Sequence, residues 1–360
     1  MRLVLDAMGG DHAPEAPVRG ALLFAREHPE HEVVLVGAPA RLGACLAREG
    51  GAPGNVHPYP ATEVVEMEED AFAAIRRKKD SSLRVGFELV RRGEAQALVS
   101  AGHSGAVMAG ALLLLGRLPG VERPAIATLL PTLKGPGHCL LLDSGANVEC
   151  RPVHLAQWAV LGGAYMRALL GIERPRVAVL SNGEEPSKGT ALTREASALL
   201  RRSDLRFTGY VEGRSLFSGD VEVVVTDGFT GNVVLKTTEG AAAGVTGLLR
   251  SAIERGGLPL KLGALLLRPI FAGLKTRLDY AEVGGAPLLG IEGVGIVAHG
   301  RSSPRAIQQA LVAALRNAEA GVRAELTRCI AQAASWLPVR QRGGTRGWKG
   351  SSREPGGLRR

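Results

Sequence analysis

Lys188 stands in the run Ser181-Asn182-Gly183-Glu184-Glu185-Pro186-Ser187-Lys188-Gly189, where one cation is set among glycines and small polar residues. Five more runs share that character: Asp6-Ala7-Met8-Gly9-Gly10-Asp11, Ser100-Ala101-Gly102-His103-Ser104-Gly105, Asp143-Ser144-Gly145-Ala146-Asn147, Thr226-Asp227-Gly228-Phe229-Thr230-Gly231-Asn232 and Ala298-His299-Gly300-Arg301-Ser302-Ser303. Glycine lets backbone N–H groups close on a ligand, and a helix that starts after such a run adds partial positive charge. The chemistry implied is capture of an anion in a cleft of amides and helix N-termini. Lys188 and the amides around Gly9, Gly10 and Gly102 to Gly105, Ser104 included, are expected to hold that anion. His103 is expected to hydrogen-bond it or its neighbour in the cleft. Asp227 and Asn232 are expected to orient the lysine or the substrate, with capping of the following helix as their alternative role. Asp6 and Asp11 orient loops, because a carboxylate repels an anion. Asn147, Ser181, Gly183, Gly228, His299 and Ser302 complete the set of candidate phosphate- or substrate-binding residues.

These runs need a frame that puts them together. Each follows a short apolar stretch: Leu3–Leu5, Ala97–Val99, Cys139–Leu142, Val177–Leu180, Val221–Val225 and Ile291–Val297. Val33–Val36, Ala125–Leu130 and Phe207–Tyr210 read the same way. Most are continuous in hydrophobicity, as strands covered on both faces of a parallel sheet must be. Helical segments alternate with them. Pro14 opens one to Glu27, Asp80-Ser81-Ser82 caps one that Gly93 ends, and Pro152 opens one that Gly171 ends. The rhythm predicts a doubly wound α/β fold with a largely parallel sheet, and the polar runs then share the carboxyl edge where ligands bind.

Several chemistries are excluded by what is missing. No strand leads into G-x-G-x-x-G, so the dinucleotide fingerprint is absent, and the run before Lys188 lacks the glycine that a Walker A loop places there. No H-E-x-x-H and no His/Cys cluster suggests a metal, and no G-x-S-x-G elbow suggests a serine nucleophile. Cys45, Cys139, Cys150 and Cys329 show no paired spacing and read as reduced thiols of a cytoplasmic protein.

The net charge of +9 is uneven: from Pro338 to Arg360 seven basic residues face one acid, which leaves about +3 on the body. With aromatics at 4%, the body lacks the basic, aromatic stripe of a nucleic-acid binder. Residues 338–360 read as a disordered basic tail after an α/β domain spanning 1–337. No apolar run approaches the length of a membrane span. Between Gly240 and Tyr280 the pattern changes to Ala, Gly and Leu with interspersed Lys261, Arg268, Lys275 and Arg277. A protruding helical hairpin is expected there, packing in a dimer or touching a membrane surface through Leu260, Leu265, Leu266, Ile270 and Phe271.

The blocks also carry a resemblance. Asp6 to Asp11 with Pro14, Arg77 to Ser82, Leu142 to Val148, Gly183-Glu184-Glu185 with Lys188-Gly189, Thr226 to Lys236, Pro287 to Gly290 and His299-Gly300 follow in order. That series resembles the acyl-ACP:phosphate acyltransferases known as the PlsX family, over residues 1 to about 330. The resemblance implies a homodimeric, cofactor-independent enzyme of bacterial phospholipid synthesis. It implies an acyl group taken from acyl carrier protein onto inorganic phosphate, and hand-off of the acyl phosphate to a membrane glycerol-phosphate acyltransferase. It implies a fold like that of isocitrate and isopropylmalate dehydrogenases and the phosphotransacetylases, and peripheral membrane contact through the hairpin. His103-Ser104 replace the family's usual Asn-Thr, Ser181 replaces an Asn, and Thr190 another; each keeps a polar donor or acceptor. The rival readings are a phosphotransacetylase-type enzyme using acyl-CoA, a dehydrogenase of related fold, and a non-catalytic lipid- or membrane-binding protein.

Overall fold

Short β-branched runs do form the centre of the molecule, and the computed structural model describes residues 1–134, 137–269, 273 and 284–338. The basic tail beyond Pro338, and Ile270 and Phe271 of the hairpin, lie outside the described residues. The strands are β1 (Arg2–Asp6), β2 (Glu32–Gly37), β3 (Val56–Pro60), β4 (Ala97–Ser100), β5 (Ala125–Pro131), β6 (His138–Leu142), β7 (Arg176–Leu180), β8 (Arg206–Val211), β9 (Val223–Val225), β10 (Ala286–Leu289) and β11 (Val294–Val297). They form one sheet in the order β3-β2-β1-β4-β11-β10-β5-β6-β9-β7-β8. The helices that matter below are α1 (Glu15–Glu27), α2 (Pro39–Arg48), α3 (Ala71–Arg77), α4 (Ser82–Arg91), α5 (Ser104–Gly110), α6 (Pro152–Leu170), α7 (Ala191–Leu200), α8 (Gly228–Arg255), α9 (Leu258–Leu266), α10 (Pro304–Glu319) and α11 (Val322–Ala333).

The sheet is two parallel blocks rather than one. β3, β2, β1, β4 and β11 run together, as do β6, β9, β7 and β8, and the antiparallel strands β10 and β5 between them reverse the direction. In a flat arrangement the carboxyl ends of the blocks would lie on opposite edges. The register prevents it. Val297, at the end of β11, pairs with Ala286, and Leu288 pairs with Ile126. Leu142, at the end of β6, pairs with Ala127. Counted through β10 and β5, the ends of β11 and β6 stand one residue apart in height and three strand spacings, about 14 Å, apart across the sheet. Each block is sheared past the other until their carboxyl ends meet near the middle.

Helices cover both faces of both blocks. Phe24 of α1, Leu42 of α2 and Ile307 and Leu311 of α10 pack on one face of the first block, and Ile75, Leu83, Phe87 and Val107 of α3, α4 and α5 on the other. Trp158, Tyr165 and Met166 of α6, with Ala196 of α7 and Leu326 and Ile330 of α11, cover the second block. Leu235 of α8 joins Leu141, Leu180 and Val224 on its remaining face.

Two strands escape the sequence pattern. β3 reads Val-His-Pro-Tyr-Pro and sits at the sheet edge, where prolines forfeit no ladder bond. β10 is short and joins antiparallel neighbours, so no continuous apolar run marks it. The strand expected from Ile291 begins at Val294, while Ile291 makes only an isolated bridge to Arg117. The hairpin's first arm begins at Gly228, as part of α8, rather than at Gly240.

Close packing of α1 on α10 depends on Gly20. A Cβ there would lie 2.6 Å from Ile307 Cβ and 2.7 Å from the Pro304 carbonyl oxygen. Gly20→Ala therefore lowers the melting temperature although alanine favours helix, by about 1–3 kcal/mol of overpacking. Gly43→Ala, in exposed α2 with no atom within 4 Å of the new methyl group, raises it. Paired thermal melts check both signs.

Candidate active site

In the first block a buried carboxylate organises the loops. Asp6, 3% exposed at the end of β1, accepts from the Met8 N–H at 3.1 Å and from Ser100 Oγ at 2.7 Å. The Ser82 hydroxyl and the Gly9 N–H also donate to it. Burial pushes the Asp6 pKa up and these donors pull it back. Ser100 Oγ in turn accepts the Gly102 N–H at 3.1 Å. Gly9 leaves no room for a side chain, since its Cβ would lie 2.7 Å from the Gly102 nitrogen, and Gly10 has φ of +102°. The Asp11 N–H donates to the Gly300 carbonyl at 2.8 Å. The runs 6–11, 100–105 and 298–303 are thus one interlocked surface, with Asp11 and Arg301 paired at 3.8 Å and Ser302 buried beneath.

Two histidines on this surface are set alike. His103 caps α5, its Nδ1 accepting the Ala106 N–H at 3.0 Å, and His299 Nδ1 accepts the Arg301 N–H at 3.1 Å. A backbone amide cannot give up its proton, so in each neutral ring the proton sits on Nε2 and that atom is a donor. Ser104 and Gly105 open the first turn of α5, and Gly105 packs against the His103 ring.

The second block repeats the device with a residue not singled out above. Asp143, fully buried after β6, accepts the N–H groups of Ile126, Gly145, Ala146 and Asn147 and the Asn147 side-chain amide, at 2.7–3.2 Å. Asn147 also donates to the Pro124 carbonyl at 2.8 Å, so it fixes the loop and has no amide hydrogen left for a substrate. The start of α8 presses on this knot: a Cβ at Gly228 would stand 2.6 Å from the Asn147 carbonyl oxygen, and one at Gly231 1.9 Å from that of Asp143. Asp227 is corrected to a cap. Its two oxygens take the Thr230 N–H and Oγ1, both at 2.8 Å, and it does not orient Lys188.

The third loop lies farther along the same edge, after β7. Ser181 and Gly189 are tied through Asn182 Oδ1, which accepts the Gly189 N–H at 3.0 Å. Gly183 is buried against the Lys188 stem. Lys188 itself is exposed and makes no ion pair with any described residue. No described contact brings it to the histidines.

Helix α8 joins the blocks. Asn232 lies 3.6 Å from the Cβ position of Gly145, and Lys236, one turn on, reaches the first block, its Nζ 3.2 Å from His299 Nε2 and 2.9 Å from Glu239 Oε2. Lys236 was legible only as the last residue of the Thr226–Lys236 block; its four-residue spacing from Asn232 is the signal that it shares a face. Among the described residues no three His, Cys, Asp or Glu side chains gather to hold a metal.

Behind β5, Glu122, His154, Gln157 and Trp158 brace residues 120–124. Gln157 donates to the Gly120 carbonyl and Trp158 to that of Arg123, each at 2.8 Å, while His154 Nε2 meets Glu122 at 3.2 Å. This is the stretch whose Pro124 carbonyl Asn147 grips. Burial, then Arg151 and Arg123, pushes the His154 imidazole down to about 4. Glu122 pulls the other way but is already paired with Arg151.

With that geometry established, comparison with known proteins decides the family. Residues 1–325 match the model of the family described as fatty acid synthesis protein. The chain belongs to that family. A relative in curated form, the phosphate acyltransferase of Myxococcus xanthus (strain DK1622), is 70% identical over 344 residues, 95% of this chain and 97% of its own. A phosphotransacetylase from Streptococcus pyogenes shares the fold with a TM-score of 0.58 at 19% identity, over 89% of this chain and 94% of the other. A 4-hydroxythreonine-4-phosphate dehydrogenase from Klebsiella pneumoniae does so with 0.51 at 16%, over 88% and 99%. The α/β fold and the acyltransferase class expected from the sequence both hold for this fatty acid synthesis family member. Its departure at His103 also has a physical account. An asparagine there would offer one acceptor to cap α5 and one donor outward, and the imidazole supplies the same pair through Nδ1 and Nε2–H.

His154 makes stability pH-dependent with a definite sign. The folded protein keeps the ring neutral down to about pH 4, whereas the unfolded chain takes up a proton near 6.5, so stability falls as pH drops through that window. The contribution is at most ~1.4 kcal/mol per pH unit. Denaturant melts of wild type and His154→Gln between pH 4 and 7 should show a shallower decline in the variant.

Proposed function

We propose that this protein transfers an acyl group from the thioester of acyl carrier protein to inorganic phosphate, giving acyl phosphate and the free carrier thiol. The observation that carries the reading is the meeting of both blocks' glycine loops around α8, whose Asn232 lies against Gly145 and whose Lys236 reaches His299. A phosphate oxygen attacks the carbonyl carbon, the C–S bond breaks, and the proton carried by hydrogen phosphate ends on the departing sulfur. A thiol of pKa roughly 8.5 leaves without a strong general acid. Catalysis then rests on positioning and on donors aimed at the developing oxyanion. We assign Lys188 and the amides of Gly10 and of residues 103–105 to that charge, the Gly9 and Gly102 N–H groups being spent on Asp6 and the Ser100 hydroxyl.

The test is phosphate-dependent release of free carrier from purified acyl carrier thioester, run beside acyl-CoA at equal concentration. The carrier is the preferred donor; faster turnover of the CoA ester would favour the phosphotransacetylase-type alternative, and no phosphate-dependent release from either donor would refute the proposal. Lys188→Ala should lower turnover by about 10²-fold with saturating donor. A near-normal rate removes Lys188 from the chemistry.

The same reading gives α8 and α9 a place at a lipid surface. Leu248, Leu262, Leu265 and Leu266 are 54–81% exposed, and Arg250, Arg255 and Lys261 flank them. Leu260 falls within α9. No described helix is long and apolar enough to cross a membrane, so the contact proposed is peripheral, with a second copy of the chain as the alternative occupant. Replacing Leu265 and Leu266 by Ser should abolish flotation with anionic liposomes and leave carrier release in solution unchanged.

A further inference from the structure

We infer that Arg76, Arg77 and Lys79, at the end of α3, form with Phe72 the surface on which the acyl donor's carrier protein docks, through an acidic face of that partner. The inference rests on the donor reading given above and adds to it the residues that hold the carrier outside the cleft.

Arg76 to Lys79 is the longest run of cations in the chain. Lys78 is spent on the fold, donating to the Val64 carbonyl at 2.6 Å and to Glu69 at 2.5 Å. Arg76, Arg77 and Lys79 are exposed and make no ion pair with any described residue. The acids of the same stretch do not neutralise them. Asp80 accepts from the Thr62 N–H and hydroxyl, Glu63 from the Asp80 N–H, and Asp70 from the Ala73 N–H as the cap of α3. Glu69 takes Lys78 and the Glu66 N–H. Glu66 and Glu68 stand before α3, and the cations stand at its other end. Three cations left in water beside acids already committed call for an acidic partner.

The apolar residues there say what kind. Phe72 is 43% exposed and, four residues before Arg76, shares its face of α3; Met67 in the loop before is 58% exposed. A free anion would satisfy the arginines and leave Phe72 in water. A protein surface covers both, and an aromatic side chain beside an arginine is the pairing that anchors such contacts. The place also fits. Ala71 lies 3.5 Å from the Cβ position of Gly105, and the Ser82 hydroxyl donates to Asp6. Both ends of the stretch 71–82 are thus fixed to the glycine loops, and Arg76 stands about 8 Å along the axis from Ala71. A carrier seated on these residues holds its thioester at the mouth of those loops.

The experiment combines steady-state kinetics with direct binding of purified, unacylated carrier protein to wild type, Arg76→Glu/Arg77→Glu, Arg76→Lys/Arg77→Lys and Phe72→Ser, with thermal melts to confirm folding. Reversing two charges should raise KM for the carrier thioester, and weaken carrier binding, by about 10- to 100-fold. Turnover at saturating donor and KM for phosphate should stay within about twofold, because a docking contact at the rim leaves the reacting groups untouched. The lysine pair keeps the charge and should keep most of the affinity, and Phe72→Ser should weaken carrier binding by about fivefold. Carrier binding to wild type should weaken as salt is raised, and that of the reversed variant should be nearly insensitive. Unchanged carrier KM and binding in the reversed variant overturn the inference. So does an equal rise in phosphate KM or a lowered melting temperature, either of which would make the cations structural. Loss of flotation with anionic liposomes while carrier binding persists would assign the patch to lipid instead. Failure of the wild type to release carrier sinks the donor reading separately, and binding of the unacylated carrier still decides whether the docking surface exists.

Discussion

Two carboxylates removed from water hold this architecture together. Asp6 and Asp143 end β1 and β6, each at a position where an ionised group would be costly to bury without partners. Each finds those partners in the loop that follows it, and in Asp143 also in Ile126 on the neighbouring strand. The consequence runs both ways. The loop amides can satisfy the carboxylate only if the loop turns back on itself, and once it has turned, its later amides face outward at the end of the strand. The glycines at 9, 228 and 231 follow from this, because nothing larger fits between the knot and what packs on it. Preorganised donors of this kind need no rearrangement when charge develops, which is the property an oxyanion or phosphate site requires.

The second constraint is the shear across β10 and β5. Two parallel blocks of opposite direction would place their binding edges at opposite ends of the molecule. The pairing of Leu288 with Ile126 and of Ala127 with Leu142 slides one block along the other until the edges face. A one-residue slip in either ladder would turn every apolar side chain of the displaced strand to the wrong face, so the same burial that stabilises the core fixes the width of the cleft.

Much of this was legible in the sequence, because parallel strands buried on both faces announce themselves as continuous Val, Leu and Ile runs, and helix starts and stops carry Pro, Ser and Gly at known places. Gly93 and Gly171 do end their helices with positive φ, at +74° and +67°. What could not be read was direction. A run such as Ala125–Leu130 looks the same whether its neighbours are parallel or antiparallel, so the two-block sheet was invisible and a single shared edge was the natural expectation. Side-chain roles were hidden for a related reason. Asp227 and Asn147 belong to the right loops but spend their oxygens and amide on the loops themselves, on Thr230 in one case and on the Pro124 carbonyl and Asp143 in the other. Lys236 lies inside a helix, where only the fold reveals which face meets His299.

Helix α8 draws these points together. Its N-terminus is pinned on the Asp143 knot, its second turn sets Asn232 against Gly145, its third carries Lys236 to the first block, and beyond Gly240 it leaves the body and exposes Val245, Leu248 and Leu249. At 1.5 Å per residue, Leu248 stands about 18 Å along the axis from Lys236. A single rigid element therefore fixes the distance between the cleft and the apolar arm. Any surface that the arm engages, whether lipid or a second copy of the chain, is held at a set height from the reacting groups, and a disturbance of the arm reaches Lys236 before it reaches the sheet.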